Sequence, residues 1–105
     1  MNRSAPLTKA DKARFAKIKE DGCLLCRIDS NRFTEPDIHH LKAGNMRRGH
    51  QFTIGACKWH HLAWPVDTAY FNPGPSIADG SRTFHDHYGS DDFLLNLQNI
   101  RLGAI

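Results

Sequence analysis

Along the chain, apolar side chains punctuate a largely polar sequence in an order that predicts helix, knuckle, hairpin, helix, long loop and helix. Thr8 followed three residues later by Asp11 forms a capping-box variant, and Gly22 is a natural stop, so residues 9–20 are expected to be helical. That helix carries Lys9, Lys12, Arg14, Lys17 and Lys19 on a basic surface, with Phe15 and Ile18 available to pack inward. After the Cys23–Cys26 knuckle, residues 27–36 are polar and expected to loop. Residues 37–41 and 51–54 are the two best strand candidates, and the glycines and asparagine of residues 42–49 suit a hairpin connection between them. A helix should begin near Cys57. Residues 65–84 contain Pro65, Pro73, Gly74, Pro75 and Gly80 with no clean period, which predicts a long loop. Ser90 with Asp91 and Asp92 is a strong helix start, and Phe93, Leu94, Leu97 and Ile100 make an apolar stripe behind it.

Length limits how this string can fold. At 105 residues, 40% hydrophobic and 24% charged, the chain is expected to be one small, loop-rich α+β domain, 1–105, whose modest core would gain from a metal staple. No apolar run approaches a membrane span and the first fifteen residues lack a secretory core, so no membrane association and a cytoplasmic location are expected. Three cysteines are an odd number, and in a reducing compartment metal binding accounts for all three where disulfides would not. Charge is uneven: residues 1–60 hold twelve Lys/Arg against six Asp/Glu, and residues 61–105 hold two against five. A basic half suits a polyanionic partner, although a solvated helix face explains the same charges.

The chemistry concentrates in Cys23-Leu24-Leu25-Cys26, His39-His40 and Cys57-Lys58-Trp59-His60-His61. Two thiolates in a CxxC turn can reach one zinc ion, and Cys57 and His60, three apart on a helix, can converge on the same ion as a Cys3His site. His61 at four-residue spacing, or His85 from the loop, could stand in for His60. His39, His40 and His61 remain, and a hairpin packed on a helix could gather three imidazoles into one cleft. Imidazole both binds divalent metal and serves as a general base near neutral pH, the two functions that phosphodiester hydrolysis needs. Adjacent strand residues point to opposite faces, so His39 and His40 share a cleft only where the strand is bulged or ends.

The order CxxC, hydrophobic-His-His, then CxxHH opening a helix resembles the HNH, or ββα-metal, endonuclease superfamily. EPDIHHL, RRGHQFTIGACKWHH, GPSIADGS and FHDHYGS resemble more closely the bacteriophage recombination-enhancement (Ref-like) nuclease family over about residues 22–90. The resemblance implies a zinc-stapled ββα core at about residues 23–64, preceded by the basic helix and followed by the loop and C-terminal helix of 65–105. It implies His40 as general base and His39 and His61 as ligands of a catalytic divalent ion such as Mg²⁺ or Mn²⁺. Cys23, Cys26, Cys57 and His60 would match the structural zinc shell.

The implied activity is metal-dependent DNA cleavage in recombination or repair, with DNA and a RecA filament as partners. The superfamily's middle asparagine is replaced by Phe52, with His50 and Gln51 just before it as substitutes. His85, Asp86 and His87, and more weakly Asp67, are further ligand candidates from the C-terminal segment. Lys42, Arg47 and Arg48 are the best phosphate contacts by position, or else an ordinary solvated turn. A non-catalytic zinc-stabilised DNA-binding or recombination adaptor and a zinc-stabilised protein-interaction module are the competing classes. Oligomeric state and DNA preference have no signal in the residues.

Overall fold

The computed structural model describes residues 6–64 and 74–103. Helix α1 spans Lys9–Asp21, opened by the reciprocal Thr8–Asp11 capping box and closed at Gly22, whose φ of 95° favours glycine. Ile18 is fully buried on its inner face. Arg14, expected on the basic surface, is instead buried. Its guanidinium donates to the Thr53 hydroxyl at 2.9 Å, the Thr53 carbonyl at 2.6 Å and Asn99 at 2.7 Å. Three acceptors offset the desolvation of the charge, which a count of charged positions along a helix cannot foresee.

The expected loop after the knuckle is in part a second helix, α2, at Leu24–Ser30. The Cys23 sulfur accepts the amide of Cys26 at 3.4 Å, and Leu24 and Leu25 are fully buried, so two turns form on local capping and burial. Asn31 stops the helix in the left-handed region at φ 55°. A seven-residue helix is too short for its apolar period to stand out from polar flanks.

Strand β1 covers Asp37–His40. Two-residue strands β2, Lys42–Ala43, and β3, Met46–Arg47, pair with each other within the expected hairpin connection. Strand β4 covers Thr53–Ala56 and pairs antiparallel with β1, His39 opposite Ile54 and His40 opposite Thr53. The second strand therefore lies two residues later than residues 51–54. All four β4 residues are buried, which removes the alternation that marks a strand in sequence. Gln51, outside the strand, reaches the Asp11 carboxylate at 2.7 Å. At Gly55 the strand lies tight against the end of α1: a Cβ there would lie 2.8 Å from the Gly22 carbonyl and 2.9 Å from an Ile18 methyl.

Helix α3, Lys58–Leu62, follows with Cys57 as its N-cap and completes a ββα unit. Residues 65–73, with the sequence-predicted loop positions Pro65, Asp67 and Pro73, lie outside the described residues. Beyond them the expected loop contains a 3-10 turn, Ile77–Asp79, and then helix α4, Ser81–Tyr88. Ser76 and Asp79 close a capping box around the turn, and Phe84 and Tyr88 bury one face of α4. Helix α5 is Asp91–Leu102, capped by Ser90. Its buried positions are Leu94 and Gln98, whereas Phe93 and Ile100, placed in the sequence-predicted stripe, are 55% and 57% exposed. Gln98 faces inward because its side-chain oxygen accepts the Gly55 amide at 2.8 Å, a pairing that no hydropathy pattern registers.

Candidate functional site

Two helices deliver the cysteines: α2 gives Cys23 as its cap and Cys26 from its first turn, and the α3 cap gives Cys57. One turn into α3, His60 is fully buried against them. The Cys26 and Cys57 sulfurs are 3.8 Å apart, and the His60 Nδ1 lies 3.6, 3.6 and 3.3 Å from the sulfurs of Cys23, Cys26 and Cys57. Zinc bonds of about 2.3 Å to sulfur and 2.0–2.1 Å to nitrogen at tetrahedral angles place ligand atoms about 3.8 and 3.6 Å apart. The donor set and its spacing therefore fit a zinc ion, which this Cys3His group could hold. His61 and His85 are not among these four groups.

The other nitrogen of His60 is tied down. Its Nε2–H donates to the Tyr88 hydroxyl at 2.9 Å, which in turn donates to Asp29 Oδ2 at 2.7 Å. Asp29 also accepts the Gly74 amide, and the Ser76 hydroxyl donates to the His60 carbonyl. With a metal bound, this leaves Nδ1 as the lone-pair donor, the tautomer a metal ligand requires.

The metal-free shell is electrostatically unbalanced. Burial opposes charge on His60, but Asp29 and the sulfurs of Cys26 and Cys57 outweigh it and push its pKa up to about 11. Hydrogen bonds from Cys23 and Cys26 hold the Cys57 thiol far below its ordinary value, while burial pushes Cys23 up. Such a shell holds negative charge that a cation, proton or metal, must meet. Tyr88→Phe keeps the ring packing and removes the hydroxyl that bridges His60 to Asp29, leaving only the direct 3.3 Å approach of the two, so zinc retention is expected to fall on the order of 10–100-fold in chelator competition. Retention equal to that of the parent chain would leave Tyr88 a packing residue only.

The remaining histidines form two pairs instead of one trio. His39 meets His61 with ring centroids 5.1 Å apart, and His40 Nε2 lies 3.0 Å from His50 Nδ1, with Phe15 edge-on to both rings of that second pair. Strand alternation accounts for the split, as β1 sends successive side chains to opposite faces. Because β1 ends at His40, His39 and His40 still line one cleft of about 330 Å³, together with Lys42, Gly44, Ser81, Phe84, His85 and Asp91.

Burial lowers the His39 pKa to about 4, aided by the charges of His61, His40, Lys42 and His85, so His39 is a neutral ring at neutral pH. Burial, with Arg47 and His50, also lowers His40 below its ordinary 6.5.

Sequence reasoning overlooked Asp37. It accepts the Lys58 ammonium at 2.9 Å and His61 Nδ1 at 3.3 Å. Burial works against its charge, but these two partners outweigh it and hold the carboxyl below its usual value. The available signal was spacing, since Asp37 and His39 lie two apart on a strand and share a face. Asp29 and Tyr88 carried no such local signal. Gln51 is spent on α1, and Asp86 and His87 are exposed on α4. Lys42 and Arg47 are exposed opposite each other in the β2–β3 pair, while Arg48 donates to Asp92 at 2.7 Å and to the Lys42 carbonyl.

Residues 7–102 match the family model described as recombination enhancement, RecA-dependent nuclease. No curated protein and no solved structure matches the chain.

Proposed function

We propose that this chain, which belongs to the recombination-enhancement, RecA-dependent nuclease family, is a single-domain HNH-type endonuclease that hydrolyses DNA phosphodiester bonds where a RecA filament has engaged the DNA. The observation that carries the reading is the His40–His50 hydrogen bond at the end of β1, in the cleft that His39 shares. If His40 Nε2–H donates to His50 Nδ1, the lone pair of His40 is left on Nδ1, free to take a proton from an attacking water. In this sequence His50 then does the orienting work of the superfamily's middle asparagine.

His39 and His61 would hold the divalent ion. Asp37, by accepting from His61 Nδ1, leaves Nε2 of that ring as the ligand atom. A divalent ion at this pair supplies neutralisation of the charge that develops on the phosphate and leaving oxygen. Lys42 and Arg47, exposed beside the cleft, bind flanking phosphates. The Cys3His group ties α2, which packs on β4, to α3, which packs on β1.

The test is cleavage of supercoiled and single-stranded DNA with Mg²⁺ or Mn²⁺, with and without a RecA filament. Cleavage that requires both metal and filament is the expected result. Binding without cleavage in every condition would make the chain a DNA-binding adaptor.

The pH profile tests His40 separately. A general base works in its neutral form, and with the His40 pKa lowered from 6.5, the metal-saturated rate is expected to persist to pH values below 6.5 before it falls. Arg47 is among the charges that lower it, so Arg47→Ala is expected to move the acid limb toward higher pH besides weakening DNA binding. An acid limb unmoved by this substitution would detach Arg47 from the base.

A further inference from the structure

The corner between α4 and α5 brings His85 and Asp91 together on the cleft wall facing β1 and β2. Gly89 makes the corner: its φ of 108° suits glycine, and a Cβ there would lie 2.7 Å from the Phe93 ring. His85 Nδ1 lies 2.8 Å from the Gly89 carbonyl, which can only accept, so the ring's first proton is on Nδ1. The other nitrogen, Nε2, lies 3.3 Å from Asp91 Oδ1. Nε2 and the Asp91 carboxylate oxygen thus face one another at a separation where a cation, proton or metal, can be shared between them.

Two features favour a metal ion over a proton as that cation. A ring anchored through its far N–H to a backbone carbonyl is in the orientation typical of metal-bound histidine. Both side chains are also about one-third accessible, 32% and 29%, so a cation here keeps open positions toward the cleft. Nitrogen plus carboxylate oxygen, with the rest of the shell left to water or phosphate, suits Mn²⁺ and related divalent ions. Among the described residues this pair is not part of a three-ligand group, so it would bind weakly until a phosphate oxygen completes the shell. Lys42 across the cleft would draw that phosphate in.

We propose that His85 and Asp91 form a divalent-cation site on the helical wall of the cleft, separate from the His39–His61 pair, which takes its remaining ligands from a DNA phosphate. The site does not depend on His40 acting as a base, and its test is a binding measurement made without cleavage.

Mn²⁺ would be titrated into the zinc-loaded chain while the ring-proton signals of its histidines are followed by NMR. The expected result is paramagnetic broadening of His85 at Mn²⁺ concentrations that leave the exposed His87 sharp, with broadening shifted at least tenfold upward in concentration by Asp91→Asn. A phosphodiester oligonucleotide should shift it downward in the parent chain. His39→Ala should leave the His85 response in place. Unbroadened His85 signals, or a response unchanged by Asp91→Asn, would overturn the site and reduce the pair to an imidazolium–carboxylate contact. Retention of the site alongside a chain that never cleaves DNA would remove the proposed nuclease reaction and keep this inference.

Discussion

Replacing His40 with alanine is expected to lower RecA-directed DNA cleavage by roughly 10²–10⁴-fold, the usual contribution of a positioned general base. The reason is local. His40 is the last residue of β1, one nitrogen lies against His50, and the ring borders the cleft that contains His39. Nothing in the Cys3His group depends on it, so zinc content should stay at the level of the parent chain and unfolding should remain cooperative. DNA affinity should also be preserved, because a neutral ring contributes little to phosphate binding. His50→Ala should reproduce part of the loss by releasing the ring, and combining the two changes should add little, since both act on one unit. Cleavage that persists undiminished in His40→Ala would remove it as the base.

The second large effect concerns the metal. Stripping the Cys3His group with a chelator, or replacing Cys57 with serine, is expected to abolish cooperative folding. Binding of a structural zinc is worth roughly 10–16 kcal/mol in small zinc domains, which matches or exceeds the whole stability of a typical domain at roughly 5–15 kcal/mol. The four ligands also occupy structural positions: Cys23 caps α2, Cys57 caps α3, and Leu24, Leu25, Ile54 and Phe84 pack in the same buried core. Without a cation, the buried thiols and His60 would be held together only by shared protons. Metal analysis should find one tightly held zinc per chain, and chelated protein should lose its near-ultraviolet signal and unfolding transition. A Cys57→Ser chain that melts cooperatively at the parent temperature would overturn the account.

Much of this arrangement was legible from residue types at fixed spacing. Thr8 with Asp11, and Ser90, open helices by satisfying terminal amides, and Gly22 closes α1 by donating its amide to the Ile18 carbonyl, local requirements that sequence states directly. The CxxC and CxxH spacings also act locally, because a turn or one helical step brings such pairs together whatever surrounds them. Arg14, expected on the basic surface, and Gln98, which no sequence pattern singles out, are placed by the opposite kind of interaction. Each is polar by type but buried against a backbone that sequence does not place beside it, Thr53 in one case and Gly55 in the other. The second strand lies two residues beyond the expected 51–54 because β4 is covered on both faces, which erases the alternation.

The histidines divide along the same line. Sequence alone was enough for a small α+β chain with three cysteines and a histidine positioned for one metal, and for a histidine doublet on a short strand. It could not say which imidazoles meet, since that depends on strand pairing and on packing across dozens of residues. Folding puts His39 against His61, with Asp37 behind it, and His40 against His50. It also sets His85 and Asp91 on the facing wall through a glycine corner. Ligand spacing within a turn is a property of the local backbone, whereas the pairing of side chains across a cleft is fixed only when the core closes and the elements can no longer shift past one another.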